Sequence, residues 1–244
     1  MRQLFPKEEA NISLFRDRRE AGRVLAGKVR AAVPELDPLI LVLPRGGVPV
    51  GFEVARALHA EMDVFVVRKL GVPGEEELAL GAIASGGVRV LNQELIQYLR
   101  LSGETIGQVT AREERVLEAR ELLYRAGRPP VPIRDRTVVV VDDGLATGAS
   151  MLAAARALRP QGARKVLIAV PVAPRESCEE LQREADQVIC AAMPHPFNAV
   201  GIWYEDFSQV TDEEVCKLLE QAAREATGER AKGERQVLER RADG

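Results

Sequence analysis

The stretch Val138-Val-Val-Val-Asp142-Asp143-Gly-Leu-Ala-Thr147-Gly-Ala-Ser150-Met151 decides the fold of this chain. It begins with four valines, and a run without polar alternation is typical of a strand buried on both faces of a parallel sheet. Two carboxylates follow where that strand ends. Small and hydroxylated residues then open a predicted helix whose apolar side chains are Met151, Ala154, Ala155 and Leu158. The stretch therefore predicts a strand, a short loop and a helix, with both acids at the carboxyl end of the strand.

The loop after the acids has the properties of a phosphate site. The free amides of a helix's first turn and the positive end of its dipole favour an anion, and Thr147 and Ser150 add hydroxyl donors. Two common phosphate motifs are excluded, because Ala149 stands where a Walker loop has Lys and G-x-G-x-x-G is absent from this stretch. Adjacent acids beside a phosphate site suit a ligand that also carries cis-hydroxyls or a metal ion, as ribose 5-phosphate does.

This stretch closely resembles the phosphoribosyl-pyrophosphate motif of type I phosphoribosyltransferases, nearest to the adenine-type version Asp-Asp-Leu-Leu-Ala-Thr-Gly-Gly-Thr. The resemblance implies that Asp142 and Asp143 hold the ribose hydroxyls and, directly or through water, Mg²⁺. It also implies that the 5-phosphate is bound by Ala146, Thr147, Gly148, Ala149 and Ser150. The alternative interpretation is an ordinary strand–turn–helix unit with an Asp-rich turn.

A second glycine loop follows the predicted strand 39–43. Its sequence is Pro44-Arg45-Gly46-Gly47, in which the adjacent glycines permit close approach of backbone amides to an anion and Arg45 can add a bidentate contact. Taken alone, this sequence equally fits a simple turn. Beside the first motif it resembles the family's pyrophosphate loop, which implies diphosphate binding by Arg45, Gly46 and Gly47 and a cis peptide between Pro44 and Arg45.

A basic pair follows the third predicted strand, 63–67. Adenine- and orotate-type members of the family carry Arg-Lys at this point, so the resemblance implies that Arg68 and Lys69 reach the diphosphate. The alternative is that both cations are simply solvated at a strand end.

The region 74–127 departs from a simple strand–helix repeat. Segments 80–84 and 88–91 flank Ser-Gly-Gly like a hairpin, and helical patterns follow at about 92–100 and 104–126. The family resemblance implies a mobile catalytic loop here, whereas a static helical arm fits the pattern equally well.

The strand pattern predicts the fold class. Segments 166–170 and 188–191 complete a set of five short apolar strands that alternate with helices, which indicates a doubly wound α/β, mainly parallel five-stranded sheet with helices on both faces. Residues 1–225 are expected to form one domain with a helical insertion, and the charged segment 226–244 is expected to be a flexible tail.

A small hood is predicted from residues 193–210 together with the N-terminal segment. Val200, Trp203 and Tyr204 resemble the base-binding segment of hypoxanthine–guanine-type enzymes, and Glu205 or Asp206 is a candidate metal ligand there. The alternative is that these aromatic residues pack against the sheet edge.

Composition narrows the function classes. The chain of 244 residues has a net charge of −3, so its overall charge favours neither nucleic acid nor an anionic membrane. Its three cysteines, Cys178, Cys190 and Cys216, are predicted to be reduced, and its two histidines form no metal motif. The charged N-terminus does not look like a signal peptide, no apolar run is long enough for a membrane span, and a cytoplasmic protein is expected. A homo-oligomer is compatible with the sequence.

The resemblance implies transfer of a 5-phosphoribosyl group from Mg²⁺-bound phosphoribosyl pyrophosphate to a nitrogen acceptor, expected to be a nucleobase of nucleotide metabolism. Asp142, Asp143, Arg45 and Lys69 would be the catalytic residues. Ala146 departs from the hypoxanthine–guanine-type pattern, in which an Asp manages a proton. A regulatory protein that senses phosphoribosyl pyrophosphate remains an alternative. A hydrolase using the same acids is disfavoured, because neither Asp is followed by the expected sequence.

Overall fold

The computed structural model describes residues 13–33 and 38–242, with side chains up to residue 228. A 3-10 helix lies at Val200–Trp203. In chain order the other elements are α1 (Arg18–Ala32), β1 (Leu39–Val42), α2 (Gly47–Leu58), β2 (Glu61–Val64), β3 (Val67–Val72), β4 (Glu75–Ala84), β5 (Val88–Leu91), α3 (Gln93–Tyr98), α4 (Gly103–Arg125), β6 (Thr137–Val141), α5 (Ala149–Leu158), β7 (Lys165–Val172), α6 (Arg175–Leu181), β8 (Gln187–Ala192) and α7 (Asp212–Ala242).

The main sheet has five parallel strands in the order β2-β1-β6-β7-β8. The chain reverses its direction of travel across the sheet between β1 and β6, and ligands of open α/β sheets bind at such a switch point, outside the carboxyl ends of the strands. Asp142 and Asp143 follow β6 at this position, and the loop before α2 follows β1. The predicted fold class is confirmed.

Both faces of this sheet are covered, which explains the uninterrupted valine run. Val139 and Val141 pack into a core shared with α1, α2 and α7, whereas Val138 and Val140 pack into a core shared with α5 and α6. All four side chains are fully buried. Burial on both faces removes the polar alternation that a half-exposed strand would show.

A second, antiparallel sheet of three strands has the order β3-β4-β5 and lies between α4 and α5. The predicted strand 63–67 is wrong at its end, because the chain leaves the main sheet earlier. The amide of Phe65 still donates to Val42, but Val66 exchanges hydrogen bonds with Ser85 in the second sheet. Arg68 and Lys69 consequently lie within β3 rather than after a strand of the main sheet.

Residues 14–16 pair with residues 203–206, which belong to the predicted hood segment 193–210. Phe15 forms a β-bridge with Tyr204, the amides of Leu14 and Phe15 donate to the carbonyl of Trp203, and the Phe15 and Tyr204 rings are 5.5 Å apart. The hood as a unit of residues 193–210 with the N-terminal segment stays a prediction. The part of the predicted domain at residues 1–12 and 34–37 lies outside the described residues.

Cys178 and Cys190 form a disulfide between α6 and β8, so the prediction that all three cysteines are reduced is wrong. The odd number of cysteines gave no indication that two of them lie on adjacent elements.

The segment 226–242 continues α7 as a helix, whereas the sequence predicts a flexible tail. Within the described ranges, no helix combines the length and the apolar character that a membrane span requires.

Candidate functional site

The paired acids lie at the carboxyl edge of the main sheet. The Asp142 carboxylate accepts a hydrogen bond from the amide of Asp143 at 2.8 Å, which fixes the turn that follows β6. Burial and the neighbouring Asp143 charge raise the pKa of Asp142 well above its ordinary value. Burial also raises the pKa of Asp143, although its hydrogen bond from Arg18 opposes this shift. Two adjacent, desolvated carboxylates form a site that gains from a cationic ligand.

Arg18 is a site residue that the sequence analysis did not identify. Its Nε donates to Oδ2 of Asp143 at 2.8 Å, and the two side chains are only 11% and 14% exposed. The sequence signals a helix start there, because Asp17 caps α1 by accepting from the amide of Glu20. No local pattern links this helix start to an acid 125 residues further along the chain.

The predicted phosphate loop is open at the start of α5. Ala146, Thr147, Ala149 and Ser150 are exposed, and Gly148 adopts a φ of 71°, which favours glycine. Gly148, the N-cap residue of α5, has no side chain to cap the helix, and the Thr147 hydroxyl accepts only a long hydrogen bond of 3.5 Å from the amide of Ala149. On the side of the loop that faces α6, the hydroxyl of Ser177 donates to the backbone carbonyl of Ala146 at 2.8 Å. The loop is therefore supported from inside the fold, while its exposed residues lie at the positive end of the helix dipole.

The second glycine loop packs directly against the acids. A Cβ on Gly46 would overlap the Asp143 carboxylate, and one on Gly47 would lie 2.7 Å from the carbonyl oxygen of Val141. The peptide between Pro44 and Arg45 is cis, as the resemblance implies. The Arg45 guanidinium lies 3.9 Å from Asp212 at the start of α7 and is partly exposed. Both glycine loops thus meet at the paired acids.

The two basic residues of β3 point to opposite sides of the small sheet. Lys69 lines a cavity of about 640 Å³ together with Ala149 and Ser150, and its Nζ lies 3.2 Å from Glu77. Arg68 lies on the α4 side and donates twice to the buried Glu113. Adjacent residues of a strand face opposite ways, so only Lys69 is directed toward the phosphate loop. Arg68 is paired with Glu113, and its contact with the diphosphate stays a prediction.

The hood residues divide into supporting and accessible groups. Tyr204 is buried and its hydroxyl donates to the backbone carbonyl of Asp143 at 2.5 Å, so it supports the acid loop and offers little ring surface to a base. Burial, reinforced by the Asp143 charge, raises its pKa. Val200 lies against Gly144, and Trp203 packs against Phe197; a base contact by these two residues stays a prediction.

The two acids fit Mg²⁺, which keeps water and substrate ligands, better than they fit a metal ion that takes all its ligands from protein side chains. Among the described side chains, no group of three or more His, Cys, Asp or Glu residues could hold a metal ion. Glu205 and Asp206 are exposed and do not join Asp142 and Asp143 in one cluster. Mg²⁺ characteristically keeps several waters and takes only one or two carboxylates together with substrate phosphates. Asp142 and Asp143 are the residues here that would hold it.

This fold, with two glycine loops meeting paired acids at the switch point of the sheet, defines a phosphoribosyltransferase-type α/β protein. The chain belongs to the phosphoribosyl transferase family, because the model for the phosphoribosyl transferase domain matches residues 18–205. The match begins at Arg18 and ends at Glu205, so it includes both glycine loops, the acids and most of the hood.

Several known proteins are similar to this chain. A Mycobacterium tuberculosis protein, described provisionally as a phosphoribosyl transferase and present in two strains, is 44% identical over 214 residues, or 88% of this chain. This chain spans about half (48%) of that protein's length. The crystal structure of TT1426 from Thermus thermophilus is 46% identical, has a TM-score of 0.76, and covers 84% of this chain and 97% of its own. A ribose-phosphate pyrophosphokinase of Methanopyrus kandleri is 31% identical in an alignment 182 residues long, which covers 64% of this chain and 62% of that protein.

Proposed function

We propose that this protein transfers the 5-phosphoribosyl group of Mg²⁺-bound phosphoribosyl pyrophosphate to a nitrogen atom of a nucleobase and releases pyrophosphate. The observation that carries this proposal is the meeting of three features at one edge of the sheet. Gly46 and Gly47 pack on Asp142 and Asp143, and the exposed start of α5 follows the same acids. One ligand with a diphosphate, a ribose and a 5-phosphate matches all three.

The acids supply the electrostatic part of the mechanism. Carbon 1 of the ribose gains positive charge as the diphosphate leaves, and the carboxylates of Asp142 and Asp143 stabilise that charge while they bind the ribose hydroxyls. Because both carboxylates are desolvated in the protein, their interaction with a developing cation is stronger than it would be in water.

The loops supply positioning and stabilise the leaving group. The amides of residues 147–150 hold the 5-phosphate, and Arg45 with the amides of Gly46 and Gly47 receives the charge that grows on the departing diphosphate. Lys69 reaches the same ligand from the second sheet. Mg²⁺, when bound by the acids and the diphosphate, would further neutralise the leaving group.

The acceptor is the least constrained part of the proposal. Ala146 carries no group that could move a proton, so deprotonation of the acceptor depends on another group or on the departing diphosphate. In this proposal Val200, which lies against Gly144, and Trp203, which packs against Phe197, would contact the base.

The test is a panel of purine and pyrimidine bases, each incubated with the protein, Mg²⁺ and phosphoribosyl pyrophosphate. We expect one base or a small group of bases to give pyrophosphate and the matching nucleoside 5′-monophosphate, detected by chromatography. Calorimetry in parallel measures binding of phosphoribosyl pyrophosphate alone. Tight binding without release of pyrophosphate by any base would reject the transferase in favour of a sensor, and no binding would reject the ribose site.

A further inference from the structure

Arg18 occupies a position between the acid loop and the hood. Its Nε donates to Oδ2 of Asp143 at 2.8 Å, and its Nη1 donates to the backbone carbonyl of Ser208, also at 2.8 Å. The flat face of its guanidinium lies over the ring of Phe207, 3.9 Å from the ring centroid. A planar guanidinium held by two hydrogen bonds and one stacking contact has a single well-defined orientation.

Asp143 is held on both its backbone and its side chain. The hydroxyl of Tyr204 binds the backbone carbonyl, while Arg18 binds the carboxylate. The rings of Tyr204 and Phe207 are 5.1 Å apart, so Phe207 contacts both of the residues that hold Asp143. The hood and the ribose acid are therefore connected through a continuous set of contacts.

The ion pair also makes the two acids different. Asp143 already has a protein cation as its partner, whereas no cationic side chain among the described residues forms an ion pair with Asp142. Removing one member of a largely buried pair leaves an uncompensated charge and frees the remaining side chain to change orientation. Asp143 could then turn away from the ribose or toward Asp142.

On this basis, and resting on the proposed function, we propose that Arg18 is a positioning residue of the ribose site. It holds the Asp143 carboxylate in its binding orientation and connects that carboxylate to hood residues 207–208. Arg18 acts through Asp143 and through the hood, so its loss impairs the site although Arg18 supplies none of the groups assigned to the ribose or the phosphates.

The test compares R18M and R18K with a matched control, R19M. Arg19 lies on the same turn of α1, binds the buried Glu53 and lies over the ring of Phe52, but it has no contact with the acids. Calorimetry with Mg²⁺ and phosphoribosyl pyrophosphate should show binding weaker by roughly tenfold or more in R18M and by less than about twofold in R19M. R18K should lie between them, because Lys keeps the charge but loses the planar, two-point contact.

A second substitution separates positioning from a general effect on folding. F207L removes the ring under Arg18 as well as its contact with Tyr204, so it should weaken ligand binding by a larger factor in the wild-type background than in R18M, where only the Tyr204 contact is left to lose. The same comparison in R18K serves if R18M does not fold. Thermal unfolding of each variant confirms that binding is measured on folded protein.

The outcomes distinguish the two proposals. If wild-type protein binds phosphoribosyl pyrophosphate and R18M binds it as R19M does, the role of Arg18 is rejected and the proposed function stands. If F207L weakens binding by the same factor in both backgrounds, Arg18 is not the connection between hood and acid. If wild-type protein does not bind phosphoribosyl pyrophosphate at all, the proposed function fails and the role of Arg18 fails with it.

Discussion

At the scale of single residues, the paired acids favour ligand binding but lower the stability of the folded protein. Asp142 is desolvated next to another carboxylate, and its pKa is raised for those two reasons in that order. A carboxyl group whose pKa is higher in the folded than in the unfolded state destabilises the fold once pH exceeds its unfolded pKa. Such a cost is common where a charged site is kept for a ligand.

Asp142→Asn should therefore stabilise the protein while it weakens binding of phosphoribosyl pyrophosphate. At pH 7 the variant has no carboxyl group whose ionisation the fold disfavours, so its unfolding temperature should exceed that of the wild type. As pH falls toward and below the ordinary Asp pKa of 3.8, the carboxyl group is protonated in both states and the difference should vanish. Thermal unfolding at pH 7 and at about pH 3.5, with calorimetry at pH 7, measures both effects. Equal or lower stability of the variant at pH 7 would show that Asp142 is not strained by its surroundings.

Site residues that belong to a local motif could be predicted from the sequence, whereas residues that act through a contact distant in the sequence could not. The acids, the phosphate loop and the Arg-Gly-Gly loop each follow a strand pattern, so their common edge could be predicted from the chain order. Arg18 is only the first residue of a capped helix in the sequence. Its partner becomes visible only when the packing of α1 against the sheet is known.

At the scale of elements, the site depends on close contact between the loop that opens α2 and the end of β6. Gly47 approaches the carbonyl oxygen of Val141 and the Cα of Asp142, both of which are backbone atoms. Backbone in the centre of a parallel sheet cannot move aside as a flexible side chain can. The second glycine of the loop is thus required for packing, apart from any role of its amide.

Gly47→Ala should destabilise the protein and displace the acids. The added methyl group would lie 2.7 Å from the Val141 oxygen and 2.9 Å from the Asp142 Cα, and such overpacking costs about 1–3 kcal/mol. The matched control is Gly27→Ala in α1, where a methyl group would have no neighbour within 4 Å and better helix propensity should stabilise the protein by about 0.5–1 kcal/mol. Urea unfolding of both variants measures these changes. A neutral Gly47→Ala variant would mean that the two loops are less tightly packed than the structure shows.

The end of a strand was harder to predict from the sequence at the point where the chain passes from the main sheet to the small sheet. Residues 63–67 read as one apolar strand, but Phe65 is the last residue bonded to the main sheet and Val66 already bonds to Ser85. Apolar character is the same in both sheets, so the sequence contains no signal for the crossing point. Asp63 binds Arg125 of α4 in a buried ion pair, a contact 62 residues apart that no local pattern predicts.

At the scale of the whole molecule, one ligand would be bound from two sheets. Arg45 belongs to a loop of the parallel sheet, whereas Lys69 belongs to the antiparallel sheet between α4 and α5. The doubly wound sheet was predictable from five apolar strands, but the separate small sheet was not, because only its β4–β5 hairpin has a recognisable turn. The position of Lys69 across a cavity from Ser150 follows from that small sheet.

This arrangement allows a test that distinguishes catalysis from sensing. Charge that grows on the leaving diphosphate is stabilised more in the transition state than in the ground state, so Arg45→Ala and Lys69→Ala should lower kcat by roughly 100-fold and weaken binding of phosphoribosyl pyrophosphate much less. Arg68→Ala is the control from the same strand: it breaks the pair with Glu113 and should lower the unfolding temperature with little change in kcat. Pyrophosphate release with the best acceptor of the panel gives kcat, and calorimetry gives affinity. An effect of Lys69→Ala on affinity alone would place Lys69 at the 5-phosphate, beside Ser150. The same result for Arg45→Ala as well would contradict the stabilisation of the leaving diphosphate by these cations, whereas wild-type protein that binds phosphoribosyl pyrophosphate but releases no pyrophosphate would be a sensor.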